Sequence, residues 1–291
     1  MADSKTGSTG WNAWKAWETI KLETHQVYPE LGLITLNRPD NLNALNETLI
    51  TNFNQCMDFL NHALDCRVAI LCGAGRLFCA GTDMKRSKEE AKQHDWTHFP
   101  DKVKQQWQVQ HELSQMFVKL RSIPQPVIAA VHGAAVGGGM AFANASDMVV
   151  ASREVRFINA FIKIGLSGAD CASTYYLPRI LGFHRSAELL YSGRDLSAEE
   201  AYQWGYVNIL VDKPEETVPA AVAFAADYML TKSPLGLRLT KEAVNNNMDS
   251  PSLEAALKIE DRNQVVCSQT DDRSEGVSAF LEKRRPKYGP R

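Results

Sequence analysis

Residues Pro126 to Ser152, PVIAAVHGAAVGGGMAFANASDMVVAS, constrain the fold more than any other stretch of the chain. Val127 to Val131 is a run of β-branched residues and alanine, too short for a membrane span and suited to a buried parallel strand. Gly133 and the triplet Gly137-Gly138-Gly139 end it, a small-residue helix is expected from Met140, and a second apolar strand from Asp147 to Ala151. Three consecutive glycines let a backbone take φ > 0 and approach a ligand closely. The helix behind them opens with free N–H groups, and such a place can hold an oxyanion. Tight packing of a helix on a strand accounts for the same glycines equally well, and the glycines alone do not choose.

With 291 residues, 44% of them hydrophobic, the chain can build one large globular domain or slightly more. A net charge of -2 and a pI near 6.4 argue against nucleic acid or an anionic membrane as the main partner. Cys56, Cys66, Cys72, Cys79, Cys171 and Cys267 show no CxxC or other metal spacing, and no apolar signal segment opens the chain. Free thiols in a reducing compartment are expected, with the cytoplasm as the default location. No run has transmembrane length, and the final Gly-Pro-Arg is not a peroxisomal address.

In chain order, residues 1–16 read as a loose arm whose Trp11 and Trp14, with Trp17, cover a core edge. A strand follows over Gly32–Leu36, then an Asn-Arg-Pro-Asp turn. A helix from about Glu47 puts Leu49, Ile50, Phe53, Met57 and Leu60 on one face. The strand Val68–Leu71 runs into Gly73-Ala-Gly75, which extends to neither GxGxxG nor a Walker loop, so a nucleotide site is rejected. Phe78 to Asp83 forms a second small-residue turn. Lys85 to Phe99 reads as a solvated loop, and its His94 and His98 lack the HExxH pattern of a metal site.

Helical periodicity resumes over Val103–Leu120. Ser167, in Gly-Leu-Ser-Gly-Ala, falls one residue short of a GxSxG elbow, which argues against a serine hydrolase. Asp170 precedes an expected helix over Cys171–Ile180, and its plainest role is an N-cap worth about 1 kcal/mol. Short helices at Ala187–Tyr191 and Ala198–Trp204, a strand at Val207–Val211, and three or four amphipathic helices between Val218 and Arg285 complete the chain. Strand-turn-helix units first and helices last give an α/β class, with an arm over 1–16, a core over 17–215 and a helical segment over 216–291.

Several blocks, in order, resemble the crotonase or enoyl-CoA hydratase/isomerase superfamily over nearly the whole length: Leu36-Asn-Arg-Pro-Asp-Asn-Leu-Asn-Ala-Leu45, Phe78-Cys-Ala-Gly-Thr-Asp83, Ala129-Ala-Val-His-Gly-Ala-Ala-Val-Gly-Gly-Gly139, Leu177-Pro-Arg-Ile-Leu-Gly182, and Asp272-Arg-Ser-Glu-Gly-Val-Ser-Ala-Phe-Leu-Glu-Lys283. The resemblance implies a spiral of ββα units, trimers built through the C-terminal helices that often pair as hexamers, and an acyl-CoA thioester as ligand. Coenzyme A then enters as part of the substrate, with no separate cofactor or metal. By motif, the N–H groups of Thr82 and Gly138 would hold the thioester oxygen as it becomes an enolate. The Ala80 carbonyl would meet the adenine, and Phe280 with Lys283 would reach the CoA of a neighbouring subunit. His132 takes a structural position.

The departures matter more for chemistry. Hydratases of the superfamily carry glutamates two residues after the triplet and in the segment after the next strand, where this chain has Ala141 and Phe161. Asp40 stands where relatives often use a lysine toward the CoA phosphates. Asp170 survives, in a loop that resembles those of dienoyl-CoA isomerases and 4-chlorobenzoyl-CoA dehalogenases but is one residue longer. Phe161 replaces the tryptophan of that dehalogenase. The resemblance therefore implies an acyl-CoA enzyme with Asp170 as acid/base. Its alternatives are a hydrolase or dehalogenase-like enzyme with Asp170 as nucleophile, and a non-catalytic acyl-CoA-binding protein.

Overall fold

Successive residues of the apolar strands face two separate cores, which is why these runs read as continuously hydrophobic. Ile34, Leu36, Ala69, Leu71, Ala129 and Val131 point into the larger core, while Leu33, Ile70, Cys72, Ile128 and Ala130 point into the smaller. The computed structural model describes residues 10–84 and 102–289. Its strands are β1 (Trp11–Ala16), β2 (Ile20–His25), β3 (Leu31–Leu36), β4 (Val68–Gly73), β5 (Val127–Val131), β6 (Ala134–Val136), β7 (Met148–Ser152), β8 (Arg156–Ile158), β9 (Asp195–Ser197) and β10 (Ile209–Val211). The α-helices are α1 (Glu47–His62), α2 (Lys102–Ser122), α3 (Gly138–Ala145), α4 (Ser173–Leu181), α5 (Phe183–Ser192), α6 (Ala198–Gln203), α7 (Thr217–Phe224), α8 (Pro234–Asn247), α9 (Leu253–Ser268) and α10 (Asp271–Leu281).

The large sheet has the order β1-β2-β3-β4-β5-β7-β10, parallel from β3 onward and antiparallel at the β1 edge. A second sheet, β6-β8-β9, forms because β5 and β7 each lead through a turn into a short strand of their own. The successions β5–β6–α3 and β7–β8–α4 are ββα units, the α/β spiral expected from sequence. α1, α2 and α3 cover the larger core and α7 the smaller. Phe142 of α3 sits among Phe53, Phe117 and Phe78, with ring centroids 4.8, 5.2 and 6.5 Å away, and this cluster fixes the helix behind the glycine triplet.

Two expectations change. Trp11–Ala16 is an edge strand rather than arm, with a bulge between Ala13 and Lys15; the strand alternation sends Trp11 toward the smaller core and Trp14 toward the larger. Residues 1–9 lie outside the described residues, as do the loop expected over Lys85–Phe99 and its His94 and His98. Asp170 does not cap α4: that helix begins at Ser173 behind Cys171 and Ala172, whose φ values of 49° and 59° turn the chain before the helix starts.

The C-terminal helices dock on the core through Asp147, at the start of β7. Its carboxylate takes the Lys241 ammonium at 2.9 Å, the Arg121 guanidinium at 2.7 Å and the Val127 N–H at 2.7 Å. Burial holds the Lys241 ammonium below its usual range, while Asp147 opposes that shift. No helix among the described residues is long and apolar enough to cross a membrane.

Candidate active site

The two small-residue turns that the sequence singles out pack backbone to backbone. Cys79 donates to the Ala134 carbonyl at 3.2 Å and accepts from Val136 N–H at 3.0 Å, which lays the 78–83 turn along β6. A methyl group on Gly81, whose φ is +83°, would lie 2.5 Å from the Val136 carbonyl oxygen, so only glycine allows this approach. On its other side the turn pairs with Leu45, which donates to Gly81 O at 2.8 Å and accepts from Asp83 N at 3.0 Å. Because Leu45 bonds to the residues flanking Thr82, the N–H of Thr82 points away from that ladder.

Gly137 N–H is spent on the Ile158 carbonyl at 2.8 Å. Gly138 is the first residue of α3, so its N–H has no intrahelical acceptor. Among the described residues neither the Thr82 nor the Gly138 N–H has an acceptor. Thr82 is exposed and Gly138 is buried at the positive end of a helix dipole. The Ala80 carbonyl likewise accepts nothing from the described residues, and Ala80 N–H is tied to Leu42 O at 3.0 Å.

Both positions where hydratases carry glutamate are apolar and buried. Ala141 is fully buried within α3, and Phe161 is 4% exposed, its ring covering Gly137. The surviving carboxylate is well held. Asp170 Oδ1 accepts from Gln110 Nε2 at 2.6 Å and from Cys171 N–H at 2.7 Å. The Cys171 thiol beside it is buried, and its pKa is pushed up by burial first, then by Asp170, with Cys79 of the 78–83 turn adding to the effect.

Other expected residues fall in two groups. His132 Nε2 lies 2.9 Å from Gly75 O, bracing the 73–75 turn, in keeping with a structural role. Phe280, 82% exposed, and Lys283 sit at the end of α10. No hydrogen bond or ion pair among the described residues joins them to Thr82, Gly138 or Asp170. Asp40 is exposed in a single helical turn over Pro39–Asn41.

Sequence reasoning missed the supports of these turns. Arg38 pairs with Asp83 at 3.0 Å and also donates to the Ala44 carbonyl. Asn43 is fully buried and its amide donates to Ala74, Leu77 and Phe78 carbonyls at 2.8, 3.0 and 3.1 Å. Both lie inside the Leu36–Leu45 block, whose polar residues were the available signal. Gln110 left none.

Comparison with known proteins decides the family. The sequence model of enoyl-CoA hydratase/isomerase matches residues 27–291. The chain belongs to the enoyl-CoA hydratase/isomerase family. It is 35% identical over 255 residues to the 1,2-epoxyphenylacetyl-CoA isomerase of Escherichia coli K12, covering 88% of this chain and 93% of that one. It is also 35% identical over 261 residues to the probable enoyl-CoA hydratase EchA12 of Mycobacterium tuberculosis H37Rv, covering 89% and 90%. Among solved family structures, a probable enoyl-CoA hydratase/isomerase from Mycobacterium abscessus superposes with a TM-score of 0.85 at 30% identity, over 94% of this chain and 100% of that one. The enoyl-CoA hydratase of Bacillus anthracis gives 0.82 at 29% identity, over 94% and 100%.

Proposed function

We propose that this protein acts on an acyl-CoA thioester by stabilising its enolate, and that the reaction is an isomerisation with Asp170 moving the proton. The observation that carries the reading is the pair of N–H groups, Thr82 and Gly138, that have no acceptor among the described residues and lie on two turns packed against one another; Asp170, held by Gln110, is the carboxylate assigned to work with them. Donors fixed before the reaction stabilise charge as it develops, and each is worth about 100-fold or more in rate. With methyl and phenyl groups at Ala141 and Phe161, neither of those positions supplies a carboxylate to activate water. One acid/base that removes a proton and returns it elsewhere suffices for isomerisation. The likeness to 1,2-epoxyphenylacetyl-CoA isomerase supports the same class.

No separate cofactor is needed, since the thioester and the two donors supply the chemistry. Phe280 and Lys283, held outward at the end of α10, fit a trimer in which they reach a neighbouring subunit's CoA. The test is a panel of saturated, 2-enoyl, 3-enoyl and dienoyl-CoAs, followed by absorbance and product mass, with Asp170→Asn alongside. A double-bond shift lost in Asp170→Asn supports the reading, and full turnover by that variant sinks it. An acyl-enzyme on Asp170 in quenched single turnovers would favour the nucleophilic alternative. Affinity without turnover would leave a binding protein.

A further inference from the structure

We infer that Gln110 is the positioning residue for Asp170, selecting which carboxylate oxygen faces the substrate. The inference rests on the reading of Asp170 as the acid/base. Both nitrogen donors that reach this carboxylate, Gln110 Nε2 at 2.6 Å and Cys171 N–H at 2.7 Å, fall on Oδ1. No nitrogen among the described residues donates to Oδ2. A carboxylate turns about its last side-chain bond with little resistance; the two nitrogen donors on Oδ1 set the rotation, and the neighbouring Cys171 thiol is a further donor to the same carboxylate.

The backbone around Asp170 cannot do this alone. α4 starts only at Ser173, Asp170 has no capping role, and Cys171 and Ala172 both occupy the left-handed region that favours glycine. Such a turn is held by contacts from outside it, and Gln110 supplies one from α2, sixty residues away. The amide suits the task because it donates without charge. A lysine there would form an ion pair and hold the carboxylate against accepting a proton.

The experiment compares wild type, Gln110→Ala, Gln110→Glu and Asp170→Asn on whichever acyl-CoA of the panel the wild type turns over fastest. Loss of the donor is expected to lower kcat about 10- to 100-fold with KM held within about twofold, the pattern of misplaced chemistry rather than lost binding. Gln110→Glu keeps the shape and removes the donor, and its loss is expected to recede below about pH 5 as the introduced carboxyl protonates and can donate again. A purely structural role would not produce that recovery. Unchanged kcat in both Gln110 variants beside an inactive Asp170→Asn overturns the inference and leaves the reading of Asp170 standing. A kcat loss without acid recovery in Gln110→Glu, accompanied by an equal fall in thermal midpoint, also overturns it. Full turnover by Asp170→Asn, or none by the wild type on the whole panel, removes the reading and the inference together.

Discussion

Arg38 Nη1 lies 3.0 Å from Asp83 Oδ2, with the two side chains 10% and 9% exposed, and this pair closes the turn that presents Thr82. Arg38 also donates to the Ala44 carbonyl, so the segment that leads into Leu45 and the residue after Thr82 are fastened to one guanidinium. Removing one partner of a shielded ion pair leaves the other uncompensated and costs about 3–5 kcal/mol. Asp83→Ala is therefore expected to lower unfolding stability by about that amount. Because Thr82 is adjacent, kcat should fall in the variant that remains folded at low temperature. Urea melts and steady-state kinetics at 10 °C check both; a variant with wild-type stability would show that the pair does not fasten the turn.

The close approach of the two turns makes a different prediction at the glycines. Gly81→Ala would force a methyl group to within 2.5 Å of the Val136 carbonyl oxygen at a φ of +83°, and backbone has no rotamer with which to yield. Gly138→Ala meets only the end of the Leu45 side chain, which can rotate away. Gly81→Ala should separate the two N–H groups and cost at least about 100-fold in kcat, the value of one oxyanion donor. It should also melt earlier than Gly138→Ala, and parallel thermal scans of the two variants are the check.

How much of this was readable in the sequence depends on how far apart the interacting residues lie. Val127–Val131 declares a strand buried on both faces because all five residues are apolar, and the two cores on either side of β5 are the reason. Thr82 and Gly138 sit in turns whose small residues are local and visible, and the family blocks gave them a role. Arg38–Asp83 and Gln110–Asp170 join positions 45 and 60 residues apart, and no local pattern announces such pairs. The cap is the plainest sequence reading of Asp170, because an aspartate before a helical pattern usually is one. What defeats that rule is a left-handed step at Cys171 and Ala172, which residue type does not betray. At the N-terminus, small and polar residues hid an edge strand that forms only because β2 offers it a partner.

His25 ties that edge strand's stability to pH. Its Nδ1 accepts from Tyr28 N–H at 3.1 Å and Val27 N–H at 3.3 Å, and its ring meets Trp11 edge-on at 4.9 Å and stacks on Tyr28 at 5.2 Å. An Nδ1 that accepts hydrogen bonds carries no proton, so these contacts belong to the neutral ring. Partial burial holds the imidazole below its ordinary value of 6.5. The unfolded chain therefore takes up a proton at a pH where the folded ring is still neutral. The stability this group contributes is complete above pH 6.5 and is lost as the pH falls through the lower, folded value. The informative quantity is a difference between two proteins. Urea midpoints of wild type and His25→Gln, measured from pH 7.5 down to 5, should converge as the pH drops, with the wild type losing more. Parallel slopes would mean that the His25 contacts tolerate the charged ring and that the edge strand is held by its tryptophans alone.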